Sequence, residues 1–250
     1  MTPMSIYAFI PSRYGSTRFP GKPLAMIAGK PMIQRTYICA KSCPDISEVY
    51  VVTDDDRILK CVEDFGGKAI MTVKNHSSGT DRIAEAVETL GLNDDDIIVN
   101  IQGDQPFFEP SVISDMVKPL IDDITIPMST LKYRINDPPE IDDTDIVKVV
   151  TDNNDFALYF SRSSIPFYRE KPFEQKYYKH LGFYAYRKEF ILEFNSLPSG
   201  KLEDIEKLEQ LRAMEHGYRI KVIESDSDSI EVDTLKYLRK VEELIKNSEK

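Results

Sequence analysis

The chain has 250 residues, of which 41% are hydrophobic and 30% charged, the balance of a soluble globular protein of one large or two small domains. A formal net charge of −10 argues against a general nucleic-acid binder, whose footprint is a basic surface. No apolar stretch approaches the ~20 residues that span a bilayer, the start MTPMSIYAFIPSRYG lacks the basic and long apolar regions of a secretory leader, and the three cysteines read as buried thiols, so a cytoplasmic protein without disulfide, structural zinc or membrane insertion is expected.

The first apolar run, Ile6 to Ile10, reads as a buried strand. The loop after it, PSRYGSTRFPGKPL at 11–24, places Arg13, Arg18 and Lys22 within ten residues, among Gly15, Ser16, Thr17 and Gly21. Glycines and hydroxyls let a backbone approach an anion, and three crowded cations repel one another unless something negative sits among them, which points to a polyphosphate. The loop is neither GxxxxGK[ST], because Pro23 follows Lys22, nor GxGxxG.

Val49 to Thr53 is the next strand, and Asp54-Asp55-Asp56 offers a cap and an acidic first turn to a helix running to Phe65. Gly66-Gly67 closes that helix, and Lys68 to Met71 is a short strand. His76 follows in a polar loop that reads equally as a base or ribose contact and as a solvated turn. Thr80 or Asp81 caps a helix to Leu90, with Ile83, Ala84, Val87 and Leu90 at helical spacing. Ile97 to Ile101 is a further buried strand, ending at Gln102-Gly103-Asp104-Gln105-Pro106. This alternation predicts βαβ units and a mostly parallel sheet.

Beyond about residue 125 the rhythm changes. Asp145 to Thr151 and Phe156 to Phe160 flank the turn signal Asp152-Asn153-Asn154, which predicts a hairpin. His180 to Tyr186 is a strand, Leu202 to His216 one charged amphipathic helix, Ile220 to Ile223 a late strand, and Thr234 the cap of a C-terminal helix. The simplest architecture is one α/β domain with an antiparallel insertion.

Ligands of an open parallel sheet bind outside the carboxyl ends of the strands, which puts the cationic loop and Asp104 on one rim. Asp104 there reads as a Mg²⁺ ligand beside phosphate oxygens, against the plainer role of capping the helix after Pro110 or closing a turn. Asp233, between an apolar piece and a helix, is the second metal-ligand candidate, and its spacing serves equally for a cap. Arg162, His180, Glu209 and Gln210 form a further polar group, for which a satisfied core histidine and a solvated helix face are the default readings. Ser161 and Ser164 do not sit in GxSxG, which excludes the common serine-hydrolase signature.

Taken in order, IPSRYGSTRFPGKPL, VVTDDDRI, HSSGTDRIAEA, VNIQGDQP, VKVV, ALYFSRSSIPF, KHLGFYAYR and KLEQLRAMEHG carry a resemblance over about Ile6 to Leu244. The chain resembles the 3-deoxy-D-manno-octulosonate (KDO) cytidylyltransferases, also called CMP-KDO synthetases. The resemblance implies a Rossmann-like nucleotidyltransferase fold with a mostly parallel central sheet and an antiparallel insertion. It implies a nucleotide-binding half at 1–125, a sugar-binding and dimerisation insertion at 126–230 and a C-terminal helix at 231–250. It also implies CTP as donor, Mg²⁺, a homodimer and a place in lipopolysaccharide biosynthesis. Carried to matching positions, Arg13, Arg18 and Lys22 would hold the triphosphate, Ser78 and Arg82 would lie by the nucleotide, and Asp104 and Asp233 would hold metal. Gln102, Arg162, His180, Tyr184, Glu209 and Gln210 would surround the sugar, with Gln102 also within reach of the nucleotide.

Two stretches depart from the family pattern. Gly103-Asp104-Gln105-Pro106 stands where the family reads GDEP, and SIEVDTLKYL where it reads GVDTPEDL. With LEDIEKLEQLR, these look closer to the subgroup acting on 8-amino-3,8-dideoxy-octulosonate. A sialic-acid cytidylyltransferase is not expected to carry HLGFYAYR or LEQLR. A non-catalytic nucleotide-sugar-binding relic would have lost Lys22, Asp104 or Asp233, and all three are present.

Overall fold

Ile6–Ser12 forms β1 in the computed structural model, which describes residues 4–15, 19–73, 76, 78–170, 175–232 and 234–248. A small antiparallel pair follows, β2 (Met26–Ile27) with β3 (Lys30–Pro31), and then α1 (Met32–Lys41). β4 (Glu48–Thr53) leads into α2 (Asp56–Asp64), whose N-cap is Asp55, its side chain accepting from the Arg57 amide. β5 (Ala69–Met71), α3 (Gly79–Leu90) and β6 (Ile97–Asn100) complete the βαβ run, and α4 (Ser111–Asp122) covers the sheet. β5, β4, β1 and β6 are neighbours in that order and all parallel, because each return passes through a helix or long crossover.

The second half continues the same sheet. β7 (Met128–Arg134), the short α5 (Pro139–Asp142), the hairpin β8 (Lys148–Thr151) and β9 (Ala157–Ser161), and β10 (Tyr178–Arg187) follow in order. β10 runs antiparallel between β6 and β7, and β11 (Ile220–Glu224), after helices α6 (Lys188–Ser196), α7 (Lys201–Glu206) and α8 (Gln210–Glu215), pairs parallel with β7. The antiparallel insertion is therefore stitched into the centre of a nine-stranded sheet. α9 (Leu235–Ser248) closes the chain, and Val241 and Ile245 bury against Ile27 and Met32.

β1, β4 and β6 bury Ala8, Ile10, Val49, Val51, Ile97 and Val99 on one face of the sheet, with polar Ser12, Thr53 and Asn100 buried only at their carboxyl ends. Phe9, Val52 and Ile98 fill the other face under α3 and α6. Strands buried on both faces read as unbroken apolar runs, which is why they stand out in the sequence.

Two expectations are corrected. The cap of α3 is Ser78, not Thr80 or Asp81: its hydroxyl accepts from the Asp81 amide while the Asp81 carboxylate accepts from the Ser78 amide, a reciprocal capping box. The stretch from Leu202 to His216 is two helices, not one. Lys207 turns left-handed with φ 56°, its amide bonds to the Glu203 carbonyl, and the chain restarts at Gln210. Arg212 clamps the pair by donating from Nε at 2.8 Å and from a terminal nitrogen at 2.5 Å to the Glu203 carboxylate. Glu206 then faces β9 rather than Gln210, accepting from the Ser161 hydroxyl at 2.7 Å and the Arg162 amide at 3.0 Å.

Candidate active site

The parallel strands end on one rim. Ile101 donates to the Phe9 carbonyl, so the segment after β6 runs beside the end of β1. Gly103 sits there against Ser12: a Cβ on it would lie 2.6 Å from Ser12 Oγ and 3.0 Å from the Pro11 carbonyl oxygen, so only glycine allows the approach. That contact sets Asp104 opposite the cationic loop. Lys22, in the 3₁₀ turn at 22–24 that follows left-handed Gly21, reaches Asp104 Oδ2 at 2.5 Å. Arg13 is exposed at the loop's start, and Arg18 lies outside the described residues.

The chain's C-terminal part returns to the same point. The Val232 amide donates to the Asp104 carbonyl at 2.8 Å. Asp233, the next residue, lies outside the described residues.

Five buried side-chain atoms among the described residues have no hydrogen-bond partner: Ser12 Oγ, Asp104 Oδ1, Gln105 Oε1, Glu209 Oε1 and Gln210 Nε2. Each such atom costs on the order of 1–3 kcal/mol, so folded proteins keep few of them. Here they gather at the strand-end rim and at the α7–α8 break. Polar groups shut away from water and left without partners are the mark of a site shaped for a polar ligand.

The α7–α8 break carries Glu209 to the start of α3. Thr80 Oγ1 donates to Glu209 Oε2 at 2.6 Å, and burial raises the Glu209 carboxyl above its ordinary range against the opposing pull of the Thr80 and Ser78 hydroxyls. Glu209 in turn faces Tyr184, whose phenol is raised by burial first and by that carboxylate second. Tyr184 lies opposite Asn100 across the β10–β6 pair, and Asn100 Oδ1 accepts from Gln102 Nε2 at 3.2 Å. The His180 ring centre is 5.3 Å from that of Tyr184. Glu209, Tyr184, Gln102 and His180, far apart in sequence, are thus brought together, and Gln210 follows Glu209 as the buried first residue of α8.

His180 has a definite protonation. Burial drops its pKa to about 3, so the ring is neutral at ordinary pH. Thr130 Oγ1 lies 2.6 Å from the Phe183 carbonyl and 2.8 Å from His180 Nε2. A hydroxyl has one proton, and the carbonyl can only accept it, so Nε2–H donates to Thr130 and Nδ1 is left as an acceptor.

Other candidates are engaged elsewhere. Arg82 is buried, donating to Asp54 Oδ2 at 3.0 Å and to the Thr72 hydroxyl, so it ties the loop after β5 to the end of β4. Arg162 donates to the Glu206 carbonyl at 2.8 Å and the Thr144 carbonyl at 2.9 Å. His76 pairs with Glu85 of α3. Ser12, Asn100 and Thr130 enter the site without having been singled out, and Thr80 enters it as a donor to Glu209 where the sequence offered it only as a cap. The only sequence signal for them is that Ser12, Thr80 and Asn100 adjoin strand or helix ends on the rim.

A family model described as cytidylyltransferase matches residues 7–223 of the chain. A 3-deoxy-manno-octulosonate cytidylyltransferase of Syntrophus aciditrophicus (strain SB) is 53% identical over 240 residues, covering 96% of this chain and 97% of that protein. An 8-amino-3,8-dideoxy-manno-octulosonate cytidylyltransferase of Shewanella amazonensis is 52% identical over 244 residues, covering 97% and 99%. Among solved structures, a CMP:2-keto-3-deoxy-manno-octonic acid synthetase complexed with CTP superposes with TM-score 0.91 at 41% identity, covering 98% of this chain and 99% of that one. A 4-diphosphocytidyl-2C-methyl-D-erythritol synthase from Anaerococcus prevotii shares the fold alone, at TM-score 0.62 and 12% identity.

Proposed function

This chain belongs to the cytidylyltransferase family, and on that premise we propose that it transfers CMP from CTP to the anomeric hydroxyl of a KDO-type eight-carbon sugar acid, releasing pyrophosphate. The observation that carries the reading is the Lys22–Asp104 pair on the strand-end rim, where Asp104 keeps a second, buried oxygen without a partner. A pair of this kind is ready for exchange: Lys22 moves onto phosphate when nucleotide arrives, and Asp104 is freed for a cation.

The donor set fits Mg²⁺, since one carboxylate oxygen is free of hydrogen bonds and a hard divalent ion takes carboxylate and phosphate oxygens. Asp104 and Asp233 would hold it, and when bound it would neutralise phosphate charge and make the sugar hydroxyl more acidic. Arg13, Arg18 and Lys22 neutralise the triphosphate. Ser78 orients the start of α3 toward the nucleotide, and Arg82 acts at one remove by fixing the loop before it. Gln102, Tyr184, Glu209 and Gln210 offer the acceptors and donors a polyhydroxylated sugar needs, and His180 Nδ1 adds a neutral acceptor. Arg162 holds the α7–α8 break in place through the Glu206 carbonyl.

The reaction is in-line: the anomeric hydroxyl gives up its proton to solvent as its oxygen forms a bond to the α-phosphorus, the bond to the bridging oxygen breaks, and pyrophosphate leaves with that electron pair. Positioning and charge neutralisation supply most of the rate, with little covalent work for the protein. The same reading includes a cytoplasmic homodimer acting in lipopolysaccharide biosynthesis. Among the described residues no helix is long and apolar enough to cross a membrane.

The test supplies CTP and Mg²⁺ with KDO or its 8-amino analogue and follows pyrophosphate. Release that requires both sugar and CTP is expected. CTP binding without release from either sugar would leave a nucleotide-binding protein instead.

A further inference from the structure

β10 is irregular where it crosses the site. Leu181 pairs with Leu131 of β7 and Tyr184 with Thr130, so Gly182 and Phe183 are extra residues in the ladder. A bulge of this kind re-aims the side chains around it and leaves backbone carbonyls to find other donors. Thr130, fully buried, supplies one: its Oγ1 lies 2.6 Å from the Phe183 carbonyl oxygen and 3.3 Å from that of Leu181. Gly182, within the bulge, comes up to the two glutamines that follow β6. A Cβ on it would stand 3.8 Å from Gln102 Cγ and 3.7 Å from Gln105 Nε2.

The same hydroxyl reaches His180, 2.8 Å from Nε2. Its one proton is committed to the Phe183 carbonyl, so the hydrogen between Thr130 and the ring belongs to Nε2. The ring is also wedged edge-on against Phe160, centres 5.1 Å apart, and tilted against Tyr184 at 5.3 Å. Half-buried, it borders a cavity of about 270 Å³ together with Gly182 and Gln105. Among the described residues Nδ1 has no hydrogen-bond partner. A histidine free to exchange tautomers offers an acceptor at Nδ1 only part of the time, whereas one held by Thr130 offers it throughout.

Resting on the transferase reading, we propose that Thr130 is a positioning residue for the sugar: it ties the β10 bulge and holds His180 as the Nε2–H tautomer, so that Nδ1 accepts from a sugar hydroxyl. An acceptor at that point selects the hydroxyl-bearing part of the sugar over its acid end, which has no proton to give once ionised.

The experiment compares the native chain with Thr130→Val, which replaces the hydroxyl by a methyl, and with Thr130→Ser, which keeps it. Long-range ¹H–¹⁵N spectra of the substrate-free protein read which ring nitrogen of His180 carries the proton, with His180→Gln assigning the signal. Pyrophosphate release gives KM for CTP and for whichever of KDO and its 8-amino analogue is turned over. The native ring is expected as Nε2–H. Thr130→Val is expected to lose that single tautomer and to raise the sugar KM about tenfold, with KM for CTP unchanged. Thr130→Ser restores the tautomer and most of the sugar KM. A native Nδ1–H ring overturns the assignment. So does a Thr130→Val chain with native spectrum and sugar KM, or one whose tautomer changes while the sugar KM does not. If Thr130→Val does not fold, the native spectrum and Thr130→Ser decide: a serine variant without the Nε2–H ring or with a tenfold higher sugar KM overturns it. No pyrophosphate from either sugar overturns the transferase reading and Nδ1 as its sugar contact, while the spectra still decide whether Thr130 sets the tautomer.

Discussion

Lys22 and Asp104 show at the level of single side chains how the site is held ready. Their charged ends are only 15% and 17% exposed, so each partly desolvated charge is kept by the other until a ligand replaces it. Asp104→Asn is expected to cut pyrophosphate release at least about 100-fold while the chain still folds, as its circular dichroism would report. Activity that survives this change at saturating Mg²⁺ would remove Asp104 from the metal's ligands. Lys22→Ala should raise KM for CTP and lower kcat together. His180 supplies a test with a sign. Its folded pKa of about 3 lies below the unfolded value of about 6.5, so the folded chain binds fewer protons between those limits. Neutral His180 thus costs stability as pH falls from about 6.5 toward 3 and costs nothing above that window. Its imidazole NMR signals should stay flat from pH 5 to 8, and a titration in that range would contradict the burial argument.

At the scale of elements, two helix ends do the positioning. Ser78 caps α3 beside Glu209, so Ser78→Ala should lower stability by about 1 kcal/mol in urea unfolding and also weaken turnover. Lys207 pays for the α7–α8 break with a left-handed backbone, φ 56°. Lys207→Gly should stabilise the chain by about 0.5–1 kcal/mol, because a residue with a Cβ is strained there and glycine is not. If that substitution destabilises instead, the strain at the break is not where the backbone angle places it.

The described residues are built around one nine-stranded sheet, and the proposed chemistry lies along the rim where β1, β4 and β6 end. Away from that edge, Leu158 on β9 is 60% exposed and Ile205 on α7 is 77% exposed. Glu206 bonds to Ser161 and Arg162 at the end of β9, so these two apolar side chains belong to neighbouring elements. Such surface fits the proposed homodimer. Sedimentation equilibrium at micromolar concentration should return twice the chain mass of 28.7 kDa, and Leu158→Asp should shift it toward one copy. A single-copy mass for the native chain would sink the dimer.

Much of this was legible along the chain because its physics is local. Apolar runs such as Ile97 to Ile101 announce strands buried on both faces, Asp152-Asn153-Asn154 announces its hairpin, and a cationic, glycine-bearing loop beside Asp104 announces an anion. The single long helix drawn through 202–216 failed because its charges follow helical spacing, whereas the turn at Lys207 answers to partners elsewhere: Arg212 on Glu203, and Ser161 and Arg162 on Glu206. Gln105 shows the same limit. Its neighbours in sequence name a strand end, but only the folded chain shuts its side-chain oxygen away from water without a partner. Local spacing determines which segments become strands and helices and where an anion can bind. Long-range contact alone decides which distant polar groups share a water-poor pocket, because burial and electrostatic neighbourhood are properties of the folded volume, not of the order of residues.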